Sequence, residues 1–348
     1  MVKNHRVTPA TQQRRDRDFG QLMAWLATMP HNKTVETCTT GDLLVYFKSE
    51  YLKQHMGTHT ADGALVCAPT SFEQCVSHIA QCFDQIGRRG QWNPARSHEI
   101  LDLKKSYRGQ VVAAGVREVS AVPLKHDEEV QTLMHLVEAI ATETRLMHRA
   151  AMARDGCMRV LLWATKMRGA EVGALRVSNL LLPDGQPALS KLIPVHAFQP
   201  GDELWIRPDR TKTEPGNRVK VRIVTALAET VLSPTLWLHC LLVTASKAGA
   251  PVQEHLFRPM TPSQLGFKEA PYKSSALNSM YKKRMADAGV VNGHTPHSSK
   301  RGALQAEAAA GKQMPDLLKD ACMVSPVVMQ RYLDPHRHVQ GWKCFLQA

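Results

Sequence analysis

Along most of this chain apolar residues recur every three or four positions, the spacing that lines up one face of a helix. Residues 1–18 lack that spacing. They include the charged run Gln12-Gln13-Arg14-Arg15-Asp16-Arg17-Asp18 and read as a flexible basic arm. Helical patterns follow over about 19–28 and over Gly41–His55, through Leu43, Leu44, Phe47 and Leu52. A third is expected to open at Thr70-Ser71-Phe72-Glu73, a capping box able to satisfy the first free backbone N–H groups. Its apolar residues Phe72, Cys75, Val76, Ile79, Phe83 and Ile86 share one face, and Gly87 and Gly90 end it. A fourth helix is expected over 95–114. No strand alternation is visible before residue 120, so 19–120 reads as an all-helical domain.

Ala121-Val122-Pro123-Leu124-Lys125 breaks the pattern, and 121–126 is the expected linker. Helices resume over about 127–143 and 147–164. Between 202 and 224 the period changes to two. Glu203-Leu204-Trp205-Ile206-Arg207 and Arg218-Val219-Lys220-Val221-Arg222-Ile223 flank a turn containing Glu214-Pro215-Gly216-Asn217, which predicts a β-hairpin with a longer loop. The remainder is helical again. The expected fold is therefore mainly α (α+β), with a helical N-terminal domain and a second domain over 127–348. The latter is helical and carries a small antiparallel sheet.

A chain of 348 residues suffices for two domains with separate cores. Lys and Arg exceed Asp and Glu by 44 to 31, a formal charge of +13. Such an excess makes a polyanion the default partner, because phosphates neutralised by Lys or Arg release condensed counterions. The polar start Met1-Val2-Lys3-Asn4-His5-Arg6 has no apolar run behind it, so no signal peptide is expected. No stretch approaches the roughly 20 apolar residues that cross a bilayer. Eight scattered cysteines (38, 67, 75, 82, 157, 240, 322 and 344) with no C-x-x-C pair read as reduced intracellular thiols. Cys75 and Cys82 fit the buried stripe of one helix. Lys282-Lys283-Arg284 is too short for a nuclear signal, so nucleoid and nucleus stay open.

Four segments carry candidate chemistry. In Leu161–Arg176 a hydrophobic helix stops near Lys166 and a short one starts at Gly169. Arg168 then sits at a helix junction, where free N–H groups also favour an anion. Arg168-x-x-Glu171 alone is an ordinary solvated i,i+3 pair. Lys212 lies where the first hairpin strand enters its turn, a place where most lysines are merely solvated. In Thr295-Pro296-His297-Ser298-Ser299-Lys300-Arg301-Gly302, Thr295 is a good N-cap and Pro296 a good first helical residue. His297 and at least one of Lys300 and Arg301 can then meet one phosphate, although a capping or partly buried histidine is the plainer reading. Ser325 and Pro326 open a helix of about two turns that presents Tyr332 before Pro335. Of six tyrosines, only Tyr332 follows the His297 segment.

Arg168-x-x-Glu171, Lys212 on a hairpin, His297-x-x-Lys300-Arg301-Gly302 and Arg331-Tyr332 resemble the ordered Arg, Lys, His-x-x-Arg, Tyr set of the tyrosine recombinase (phage integrase) family. The resemblance covers about 127–335. The helical first third is similar in character to that family's core-binding domain, which with the catalytic domain clamps duplex DNA. It implies metal-independent strand cleavage and rejoining, as in integration of a mobile element. Tyr332 would form a 3′-phosphotyrosyl link, Arg168 and Arg301 or Lys300 would bind non-bridging oxygens, Lys212 would protonate the leaving 5′ oxygen, and His297 would assist the tyrosine. No cofactor, metal ion or ATP is implied. The implied partners are double-stranded DNA and further copies of the chain, as a tetramer on DNA, in an intracellular, DNA-associated setting with no membrane.

The pattern departs from the family at two positions. Three residues after the histidine stands Lys300 in place of arginine; lysine is a point charge without the two-pronged grip of guanidinium. Either Arg301 turns into the role or Lys300 takes it. Nine residues before the tyrosine, where the family has His or Trp, stands Met323, which has no donor. These departures keep open a DNA-binding protein that retains the fold with weakened or lost catalysis. A type IB topoisomerase shares the tyrosine chemistry, though the short chain argues against it. An unrelated basic helical protein is the remaining alternative.

Overall fold

The structure, a computed structural model, describes residues 9–30, 33–116, 121–193, 197–209, 221–227 and 231–334. The chain divides into two compact units, Met1–Glu118 and Val119–Ala348.

Unit 1 holds α1 (Pro9–Ala27), α2 (Thr40–Val45), a π-helical turn (Tyr46–Tyr51), α3 (Leu52–Gln54), β1 (Met56–His59), β2 (Leu65–Cys67), α4 (Pro69–Gln85) and α5 (His98–Ala113). Its core gathers Leu22, Leu26, Phe47, Phe72, Ile79, Phe83 and Ile100, the apolar stripes of these helices. Helix α1 begins about ten residues before the periodic pattern does. Its early turns are held by polar contacts: Gln12 Nε2 donates to Asp16 Oδ1 at 2.7 Å, and buried Asp18 meets His78 Nδ1 of α4 at 2.6 Å. Apolar periodicity cannot register such pairs. The expected capping box at Thr70 does not form. Helix α4 starts at Pro69 after Ala68, which makes no side-chain cap, and Glu73 takes Arg108 of α5 in a bidentate pair at 2.8 and 2.9 Å.

The expectation of no strand in this region is also corrected. Antiparallel β1 and β2 flank a turn at Ala61-Asp62-Gly63, where Thr60 N–H donates to Ala64 O at 2.9 Å. Strands of four and three residues, partly exposed, are too short to show alternation. Ala61 N–H also donates to Ala114 O at 3.0 Å, a contact across more than fifty residues that no local pattern encodes.

Unit 2 is built on α7 (Leu146–Thr165), buried along most of its length. Around it pack α6 (His126–Thr142), α8 (Gly169–Gly173), β3 (Leu180–Leu181), α9 (Leu189–Leu192), β4 (Glu203–Ile206), β5 (Arg222–Thr225), α10 (Pro234–Lys247), α11 (Ser274–Asp287), α12 (Pro296–Ala309), α13 (Met314–Asp320) and α14 (Pro326–Leu333). The core joins Leu161, Leu162, Ile206, Trp237, Leu241, Phe257 and Tyr281. Gly156 lets α7 and α10 close up: a Cβ there would sit 2.1 Å from the Trp237 ring.

Strands β4 and β5 are antiparallel, pairing Glu203 with Thr225 and Ile206 with Arg222, and β3 adds a third strand beside β4. The segment entering the unit lies against α12. Leu124 is buried, its N–H donates to Ser298 O at 3.2 Å, and a Cβ on Gly302 would fall 1.8 Å from Leu124 O. A smaller cluster of Leu304, Leu317, Ala321 and Met329 joins α12, α13 and α14.

Candidate active site

Helix α7 stops at Lys166, whose φ of 53° is left-handed and reverses the chain. Two residues on, Arg168 precedes α8 in extended conformation. Its N–H and its Nη1 both donate to the Glu171 carboxylate, at 2.9 and 3.0 Å. Glu171 is buried and the Arg168 side chain is 40% exposed, so the carboxylate anchors a guanidinium that still faces outward. The i,i+3 pair is thus a mount for a cation, held at both backbone and side chain.

Helix α12 begins as its sequence specifies, with Thr295 N–H donating to Ser298 Oγ at 3.0 Å and Pro296 as first residue. His297 is solvent-exposed, whereas Lys300 and Arg301 are 3% and 2% exposed. Helix α14 is capped by Ser325 Oγ, which accepts from Val328 N–H at 3.3 Å, and it carries Tyr332 half-buried. The rings of His297 and Tyr332 lie 5.3 Å apart, tilted by 56°. Lys300 Nζ stands 5.8 Å from the centre of the Tyr332 ring.

The fate of the two adjacent cations differs. Arg301 Nε donates to Tyr332 O at 3.3 Å and Nη1 to Ala121 O at 3.0 Å, and Nη2 donates to Asp334 O. Lys300 makes no ion pair among the described residues; its ammonium faces the phenol. Neighbours on a helix are turned by about 100° from each other, so one can serve the backbone while the other faces the Tyr332 ring.

Electrostatics follow from this crowding. Burial pushes the Lys300 amine down to about 8, helped by the charges of Arg168 and Arg222 and opposed by Glu171 and Cys322. Burial, then Lys300, Arg168 and Arg301, lower His297 below its ordinary 6.5 and favour the neutral imidazole. Burial raises the Tyr332 phenol above 10, and Arg168 and Arg301 restrain the rise. Burial and, after it, the neighbouring positive charges both disfavour the charged forms of Lys300 and His297, and an anion would offset both, so the arrangement suits a phosphate.

Lys212 lies outside the described residues. Met323 follows Cys322, whose φ is 46°, and packs against the α12–α13–α14 cluster, as Tyr332 also does, so the position presents a thioether to an apolar surface.

Two features escaped the sequence reading. Arg222 of β5 is buried, donates from Nη1 to Asp320 O at 3.1 Å and leaves Nε unpartnered among the described residues; alternation gave it only a strand. A run of ion pairs also passes behind the site. Lys166 meets Glu307, Glu307 meets Lys312 at 3.3 Å, and Lys312 meets Asp320. It links the turn before Arg168, the helix of His297 and Lys300, and the approach to α14. The Glu307–Lys312 and Lys312–Asp320 links span five and eight residues, whereas Lys166–Glu307 spans 141. Among the described residues no helix is long and apolar enough to cross a membrane.

No family model and no curated protein matches the chain. Solved structures do. The XerH site-specific recombinase bound to difH substrate, in a pre-cleavage complex, aligns over 93% of this chain and 76% of its own at 10% identity, with a TM-score of 0.53. A lambda integrase (75–356) dimer bound to a COC′ core site aligns over 98% of this chain and 94% of its own at 11% identity, with a TM-score of 0.52. At such identities the likeness is one of fold.

Proposed function

We propose that this chain, which has the tyrosine recombinase fold, cleaves and rejoins duplex DNA through a 3′-phosphotyrosyl intermediate, as a site-specific recombinase or integrase. The observation that carries the reading is Tyr332 against His297 at 5.3 Å, with Lys300 Nζ 5.8 Å from the same ring and Arg168 acting on all three.

In the proposed reaction Arg168 and Lys300 hold the non-bridging oxygens of the scissile phosphate. Tyr332 Oη attacks phosphorus and gives its proton to neutral His297, because a phenol above pKa 10 is a weak nucleophile until deprotonated. A phosphorus–oxygen bond to the tyrosine forms as the bond to the 5′ oxygen breaks. Lys212 protonates that leaving oxygen. The phosphodiester energy is retained, so attack by a 5′ hydroxyl on the phosphotyrosine reseals the strand. Unit 1 serves as the core-binding domain, and the chain works on DNA as a homo-oligomer, a tetramer by resemblance.

A second reading has a specific observation behind it. Met323 offers no donor and is engaged in the apolar cluster, as in a DNA-binding protein with weakened catalysis. One experiment separates the two. On its target DNA, wild-type protein should give an adduct that survives denaturation, and Tyr332→Phe should give none while still binding. Binding without any adduct from wild type would select the second reading.

A further inference from the structure

We infer that Arg301 is a positioning residue which clamps the C-terminal end of the Tyr332 helix, leaving Lys300 as the cation of this pair that faces the phosphate. The inference rests on the proposed reaction for its meaning, though not for its geometry.

Each of the three Arg301 nitrogens donates to a main-chain carbonyl, those of Tyr332, Ala121 and Asp334. Gln305, one turn further along α12, adds Nε2 to Tyr332 O at 2.9 Å and to Asp334 O at 3.5 Å. The last carbonyls of a helix have no partner within it, and α14 is only eight residues long. A buried guanidinium and an amide on one face of α12 supply those partners. Fork geometry suits this task, since one planar cation can satisfy several oxygens at fixed angles where an ammonium cannot. Through Ala121 the same guanidinium ties the end of α14 to the segment that enters unit 2. The nucleophile is thereby fixed against both α12 and the backbone at Ala121–Leu124.

The test compares Arg301→Met, Arg301→Lys, Gln305→Leu and Lys300→Met with wild type in two measurements, neither needing strand cleavage. The first is amide hydrogen exchange over α14 relative to α7. The second is titration with inorganic phosphate, followed by the His297 ring signals. Arg301→Met should speed exchange at the end of α14 about tenfold or more while α7 stays protected. Gln305→Leu should do so by a smaller factor. Arg301→Lys keeps the charge and loses the fork, and should also lose protection. All three should keep phosphate affinity within about threefold, and Lys300→Met should lose about tenfold with α14 still protected.

Unchanged α14 exchange in Arg301→Met and Gln305→Leu overturns the clamp, as does full protection in Arg301→Lys. Loss of phosphate affinity in Arg301→Met equal to that in Lys300→Met, with α14 intact, makes Arg301 a phosphate ligand and also overturns it. If Arg301→Met does not fold, Gln305→Leu and Arg301→Lys decide the matter. Wild-type protein that binds no phosphate contradicts the proposed reaction, and the exchange data still judge the clamp.

Discussion

Lys300 occupies a place where an ammonium is hard to keep charged: it is 3% exposed, beside a phenol, with Arg168 and Arg222 in its field. Its amine titrates near 8, and His297 titrates below 6.5. In the proposed reaction Lys300 acts protonated, so activity is lost as pH rises through its pKa. His297 acts neutral, so activity is lost as pH falls through its own. The kcat/KM profile for adduct formation should therefore be a bell with its alkaline limb near pH 8, because that ratio reports groups of the free enzyme. Lys300→Arg should remove this limb, since guanidinium does not titrate there. A limb still near 8 in Lys300→Arg would assign it to another group. Removing the cation altogether, as in Lys300→Met, should cost about 10²–10³ in rate at neutral pH.

Helix α12 carries His297, Lys300, Arg301 and Gln305, so its seating governs much of the site. It is seated where Gly302 meets Leu124 O. Gly302→Ala would force a Cβ within 1.8 Å of that carbonyl, and backbone cannot step aside as a flexible side chain can. The substitution should destabilise unit 2 by about 1–3 kcal/mol or more, seen as a lower Tm. Gly109→Ala, at an exposed position of α5, meets nothing within 4 Å and should be neutral or stabilising by about 0.5–1 kcal/mol. Equal losses at both glycines would refute the close approach. Element ends were legible where short-range chemistry sets them: Thr295 with Pro296, and Ser325 with Pro326. They were misread where a distant partner intervenes, as at Glu73, drawn off to Arg108, and at Asp18, buried against His78.

On the scale of the whole chain, a charge of +13 predicts that duplex binding is chiefly phosphate contact. Affinity should fall linearly in log–log form with salt, by about 10³–10⁵ between roughly 50 and 200 mM if six to ten phosphates are neutralised. A flat dependence in a fluorescence-anisotropy titration would count against DNA as the partner. The sequence by itself determined the helical character of most of the chain, the period-two pattern of β4 and of Arg222-Ile223 at the start of β5, and the order Arg168, His297, Tyr332, while the expected hairpin turn at Glu214-Pro215-Gly216-Asn217 lies outside the described residues. Those are properties of residue spacing, and spacing is local. Only the tertiary structure decided which of Lys300 and Arg301 faces the phenol, that Arg222 comes near them, and that Lys166, Glu307, Lys312 and Asp320 form one run of ion pairs. Each of these depends on which groups lie opposite a side chain once the segments have packed. Two neighbouring basic residues on a helix look alike in sequence, and the carbonyls waiting on one side of α12 make them different.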